Sequence, residues 1–190
     1  MSGCTRYQVL LLVVSLTTLA HAQKHELAVN LGADFASSAK ISNISTSFAA
    51  EGSYAQRIVG SRLIALYGEL PVGGGLEKTA NVVVGRSGGL PNIDVKFSSF
   101  FFTPGLKLKI NWHRLSPYLA SGVGLAHFSQ SNGSKTTWST SFGGGVDFNI
   151  LPVVGLRAQV RDYFSGIPQF GLANGSQHNV FVTGGVVLRF

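Results

Sequence analysis

"HNVFVTGGVVLRF", residues His178–Phe190, ends the sequence on an aromatic residue. His178, Val180, Val182, Gly184, Val186, Leu188 and Phe190 fall on one side of an extended backbone. Asn179, Phe181, Thr183, Gly185, Val187 and Arg189 fall on the other. A period of two is a strand signal, because successive side chains point to opposite faces. Strands in globular domains usually run about 5–6 residues, whereas a tilted strand crossing a bilayer needs about 9–11. This stretch is long enough for the second kind. Its aromatic end also differs from the polar, frayed tail of a typical soluble domain.

The other end of the chain narrows the compartment. Arg6 supplies a short basic region, and Val9–Leu16 ("VLLLVVSL") supplies an apolar core. Ala20 and Ala22 place small residues where a signal peptidase reads them. Residues 1–22 are therefore expected to be a secretory leader, too short to span as a helix, with cleavage before Gln23. The single cysteine, Cys4, lies ahead of the apolar core and leaves with the leader. Residues 23–190 then hold neither a disulfide framework nor a thiolate site.

That remainder is long enough for one domain, and no Pro- or Ser-rich linker divides it. Charged residues make up 12% of the chain, about half the usual soluble share. Of 15 basic and 8 acidic side chains only Arg6 is lost with the leader, leaving a formal charge of +6. For an exported basic chain a merely solvated basic surface is the first reading, and anionic lipid or lipopolysaccharide phosphate, rather than nucleic acid, is the partner expected if there is one.

Eight alternating segments can be marked, at 26–35, 47–58, 62–72, 97–110, 117–129, 136–150, 154–164 and 178–190. The connections alternate in length. "VGS", "NWHRLS" and "LPV" are tight; those between them are longer and rich in Gly, Ser and Asn. Strands at short spacing without a helical period indicate an all-β, up-and-down meander. Tight turns at one end and large loops at the other are the asymmetry of a transmembrane barrel. The expected fold is therefore an eight-stranded antiparallel up-and-down transmembrane β-barrel. Pro104 interrupts the fourth segment, and a bulge at Pro104-Gly105 is the expected accommodation. The long third-to-fourth connection, 73–96, contains "NVVV" (Asn81–Val84), which suggests a hairpin extending past the membrane.

Alternation alone does not say which face points outward. A soluble barrel would bury its apolar face. Here the polar faces carry Gly, Ser and Tyr rather than Lys and Glu, a poor dressing for a water-facing surface. Aromatics recur near segment ends on the apolar faces: Phe35, Phe48, Phe100, Trp138, Phe148, Phe164 and Phe190. Two such bands read as interfacial girdles. Leu119, Val123 and Leu125 are placed outward on the fifth segment.

With these features the chain resembles the small OmpA/OmpX-type outer-membrane β-barrels, a porin-like barrel group. "YGELPV" (Tyr67–Val72), "FFTPGLKLKI" (Phe101–Ile110), "SPYLASGVGLA" (Ser116–Ala126) and "GGGVDFNILPVVGLRAQVRDY" (Gly143–Tyr163) carry the likeness, together with the closing "VTGGVVLRF". The resemblance implies location in a bacterial outer membrane, reached through the periplasm. It also implies that Val186, Leu188 and Phe190 form a C-terminal assembly signal read by the outer-membrane insertion machinery. The peptidoglycan-binding domain that larger OmpA-type proteins add after the barrel is not carried over, and a monomer is expected.

The polar faces gather Glu51, Arg57, Glu69, Lys107, Lys109, Asp147, Arg157, Arg161 and Arg189. An eight-stranded lumen is just wide enough to be filled by side chains, and charges buried there must pair. Glu51, Glu69, Lys107, Arg157 and Arg161 are expected to form a salt-bridge network that plugs it. Catalysis has one candidate, His127 and Ser129 in "AHFSQS", a spacing similar to that of lipid A deacylase barrels. A triad needs a carboxylate to orient the histidine, and the next acid along the chain, Asp147, lies at the far end of the following segment. The Gly-rich stretches lack a following helix for phosphate binding, and the histidines lack a metal-ligand spacing. No cofactor is expected. The favoured function is non-enzymatic, structural or loop-mediated binding in the envelope; a narrow pore is second and a lipid A-modifying hydrolase third.

Overall fold

The computed structural model describes residues 24–38, 46–82, 93–130, 133–166 and 176–190. Residues 1–22, expected to be a leader, lie outside these residues, as do Val83 and Val84 of "NVVV". Among the described residues the chain forms eight strands. They are β1 (His25–Ser38), β2 (Ser47–Gly60), β3 (Ile64–Val82), β4, β5 (Leu115–Gln130), β6 (Gly133–Asn149), β7 (Val154–Gly166) and β8 (Ser176–Arg189). β4 runs in two lengths, Ile93–Phe102 and Gly105–Ile110.

Each strand pairs antiparallel with its sequence neighbours. β1 also pairs with β8, from Glu26 opposite Arg189 to Ser38 opposite Gln177, which closes the sheet into a barrel. Among the described residues closure leaves no edge strand. It also satisfies backbone groups within the wall, as a structure crossing hydrocarbon must. The start of β1 and the last residue are stitched together as well: His25 N–H donates to the Phe190 carbonyl at 2.9 Å, and Phe190 N–H donates to the His25 carbonyl at 3.0 Å.

The faces sort as the alternation predicts. Outward on β8 are Val182, Val186, Leu188 and Phe190; inward are Asn179, Phe181, Thr183, Val187 and Arg189. Leu119, Val123 and Leu125 point out from β5, and Trp138, Phe142 and Phe148 from β6. The inverted barrel, apolar outside and polar inside, is the arrangement found. Phe148 and Phe190 lie at the short-turn end, while Phe35, Phe48, Phe100, Trp138 and Phe164 lie towards the loops.

Two expectations need correction. No bulge forms at Pro104-Gly105. Phe102 pairs with Leu125 and Gly105 with Gly122, three residues apart on both strands, so no residue is inserted. The same constancy holds against β3, where Val72 faces Phe102 and Glu69 faces Gly105. β4 simply lapses for Thr103 and Pro104 and resumes in register, with the Pro104 carbonyl still accepting from Val123 at 3.1 Å. Register shifts do occur between Arg57 and Val59 and between Gly75 and Lys78. The second correction concerns only the segment bounds at 72 and 97, because the hairpin expected in the connection at 73–96 does form. Much of it is strand, since β3 and β4 stay paired out to Val82 opposite Ile93.

Candidate functional site

The inward face of the barrel stacks three layers along the lumen. Strand parity places every member, because residues two apart on one strand share the interior. Nearest the short-turn end are Glu26 (β1), Lys109 (β4), Asp147 (β6), Arg157 (β7) and Arg189 (β8). Lys109 donates to Asp147 at 2.6 Å and to Glu26 at 2.5 Å. Arg157 grips Asp147 through Nε (2.7 Å) and Nη2 (3.0 Å), a bidentate fork. Arg189 reaches Asp147 at 3.1 Å and Glu26 at 3.5 Å.

Lys107 links this layer to the next, lying 2.7 Å from Glu26 and 3.7 Å from Glu69. The second layer holds Glu69 (β3), Glu51 (β2), Gln159 and Arg161 (β7). Arg161 donates to Glu69 at 2.7 Å, and its Nε lies 3.8 Å from Glu51. Glu51 accepts from Gln159 (2.7 Å) and from the Tyr163 hydroxyl (2.8 Å), while Tyr118 donates to Gln159 at 2.7 Å. The Tyr118 ring also lies under Arg157, 4.8 Å from the guanidinium carbon.

Tyr163 carries the network into a third, aromatic layer. Its ring stacks on Phe101 at 4.6 Å and meets Phe181 at 5.0 Å, and Phe101 packs edge-on against Phe128 at 6.0 Å. All four rings are buried. A polar column capped by packed rings fills the lumen at these levels.

Glu51, Glu69, Lys107, Arg157 and Arg161 thus all lie inside the barrel and share one network. They do not complete it. Glu26 was missing from the sequence reading, although it meets four cations. Its signal was present in the alternation of β1, where Glu26, Ala28 and Asn30 oppose Leu27, Val29 and Leu31. Lys109, Asp147 and Arg189 had been placed on the polar faces but not in the network. Val186, Leu188 and Phe190 are outward, and Phe190 stacks on His25 at 5.7 Å.

His127 and Ser129 lie on the outward face near the loop end of β5. His127 Nδ1 is 2.9 Å from the Thr136 hydroxyl. The histidine with a carboxylate partner is another one: His178 Nδ1 lies 2.7 Å from Asp162, with the Phe164 ring beside it at 4.9 Å. Among the described residues, no group of three or more His, Cys, Asp or Glu is placed to hold a metal ion.

No family model and no curated protein sequence matches the chain. Solved structures do. Neisserial surface protein A matches with a TM-score of 0.57 over 87% of this chain and 96% of its own, at 18% identity. OprG from Pseudomonas aeruginosa matches at 0.51 over 88% and 97%, with 13% identity. The outer membrane enzyme PagL matches at 0.50 over 87% and 99%, with 14% identity. At these identities the likeness is one of fold, and the fold is that of the small OmpA/OmpX-type eight-stranded barrels.

Proposed function

We propose, from a fold of the OmpA/OmpX type, that this chain is a non-enzymatic integral protein of a bacterial outer membrane. In this reading it reaches the membrane through the periplasm, and its tight turns face the periplasm. Its longer connections then face outward, where they support the envelope or bind a partner; among the described residues β3, which enters the β3–β4 hairpin, is the longest strand. One observation carries the reading: the apolar outward belt surrounds an interior filled by paired charges and packed rings. That arrangement suits lipid outside and makes the loops, rather than the filled levels of the lumen, the place for recognising a partner at the outer surface. Outer-membrane lipid and lipopolysaccharide are the surrounding partners, and the insertion machinery acts during assembly.

Planar-bilayer recording tests this reading against the narrow pore. The expected result is silence; stable, salt-dependent steps overturn it. A lipid A hydrolase is the alternative that the PagL likeness keeps in view. It finds little support at His127, whose ring nitrogen meets Thr136 rather than Ser129 or an acid. Mass spectrometry of lipid A from cells making the protein is expected to show an unchanged acyl number, and a lost acyl chain reverses the assignment.

A further inference from the structure

A cavity of about 470 Å³ opens inside the ring of strand ends at the short-turn mouth. Its lining includes Glu26, Lys109 and Arg189 from the first ionic layer, with Arg57, Tyr67 and His113 around them. Sites for small molecules typically enclose about 300–1,000 Å³, so the space is adequate for a ligand rather than for solvent alone.

The charges around this cavity do not balance locally. Two carboxylates, Glu26 and Asp147, face Lys109, Arg157 and Arg189, which leaves one positive charge over. Lys107, at 2.7 Å from Glu26 and 3.7 Å from Glu69, does not add to the excess, because Glu69 and Glu51 share the single Arg161 and need a second cation. Arg57 adds another charge at the mouth, where its Nη2 donates to the Ser61 carbonyl at 3.0 Å rather than to a carboxylate. Cations in a low-dielectric wall focus a positive potential into the space they line, and a counter-anion there offsets the cost of burying them.

We infer that this vestibule is an anion site for a phosphate-class ligand, with Arg57 and Arg189 as its guanidinium contacts and Lys109 as a point charge at its floor. Guanidinium forks match phosphate oxygens in pairs, while an ammonium acts as a compact charge. Facing the periplasm, the same chemistry has two sources: a free phosphate ester, or the headgroup of an inner-leaflet phospholipid bordering the rim. The anion site rests on the charge arrangement, while its periplasmic orientation and the headgroup source rest on the proposed membrane role.

The test is a titration of ¹⁵N-labelled, refolded full barrel in maltoside micelles with inorganic phosphate, against chloride at equal ionic strength. Saturable shifts are expected at the amides of Lys109, Asn111, His113 and Asn149. Arg57→Gln is expected to weaken them about tenfold, the loss of one charge-assisted hydrogen bond, and Arg57→Glu to abolish them. Arg57 is only half-buried, so both variants should keep their folded gel mobility, which checks the barrel separately. Absence of saturable shifts in the wild type, or equal affinity in Arg57→Gln, overturns the site. In phosphatidylcholine nanodiscs, added phosphatidylglycerol that suppresses the phosphate shifts assigns the headgroup as occupant; phosphate shifts unaffected by it assign the soluble ester.

Discussion

Arg161 on β7 and Glu69 on β3 meet at 2.7 Å across the barrel interior, each side chain 2% exposed. Their strands are four places apart in a ring of eight, so the bridge ties opposite walls rather than neighbours. The wall is held by backbone pairing, which is indifferent to side-chain identity. The lumen is held by bridges such as this one, which are not.

Removal of one partner leaves the other charge buried without its closest counter-ion, a loss of about 3–5 kcal/mol for pairs of this kind. Glu69→Ala is therefore expected to lower the urea midpoint of the refolded barrel substantially. Replacing both residues with apolar side chains, as in Glu69→Leu with Arg161→Met, should recover most of the loss. Gel-shift unfolding in micelles reads both. A Glu69→Ala barrel as stable as wild type sinks the idea that the network is structural.

The aromatic layer makes a separate prediction about conduction. Phe101, Tyr163 and Phe181 converge at 4.6–5.8 Å between ring centroids and are fully buried. Wild-type barrels should be silent in planar bilayers. Tyr163→Ala with Phe181→Ala removes two of the four buried rings and, with the Tyr163 hydrogen bond to Glu51, one tie of the ionic layer beneath, and brief steps should appear. Frequent steps in the wild type, with no change in the double variant, would show that the rings are not the barrier.

Face parity was legible because lipid and lumen impose opposite chemistry on alternate residues along every strand. Glu51, Glu69 and Arg161 could be placed inside from their own strands alone. Partnership could not: Glu26 and Lys107 are 81 residues apart, and strand tilt and stagger decide which inward residues share a level. Pro104 misled for a related reason. A missing donor on a closed sheet suggested an inserted residue, whereas the chain omits pairing over two residues and keeps its register. His127 drew attention by its spacing to Ser129, but cross-strand register, invisible in one sequence, gives the carboxylate to His178.

The resumed pairing after Pro104 depends on a close approach. Gly105 lies directly opposite Gly122, and a Cβ at Gly105 would run into the Ser121 carbonyl oxygen, a backbone atom with no freedom to yield. Gly105→Ala should therefore separate β4 from β5 and reduce the yield of heat-modifiable, folded protein severely. Gly184→Ala is the control, since its Cβ would find the Arg157 carbonyl at an ordinary 3.6 Å. Equal folding yields for the two variants would mean that the wall relaxes more freely than its backbone contacts imply.

Phe190 separates assembly from stability. Its backbone is secured to His25 by hydrogen bonds of 2.9 and 3.0 Å that do not involve the side chain. The ring itself is half exposed on the outward face and stacks on His25. Its loss from a finished barrel should cost only about 1 kcal/mol of apolar contact, a fraction of the value for a fully buried Phe. If the ring is also what the insertion machinery reads, Phe190→Ala should lower the amount of barrel reaching the outer membrane far more than it lowers the unfolding midpoint of purified, refolded protein. Fractionation of cells making each form supplies the first quantity and urea titration the second. Normal outer-membrane levels of Phe190→Ala would leave the ring as a girdle residue alone, and parallel losses in both measurements would make it a purely structural one.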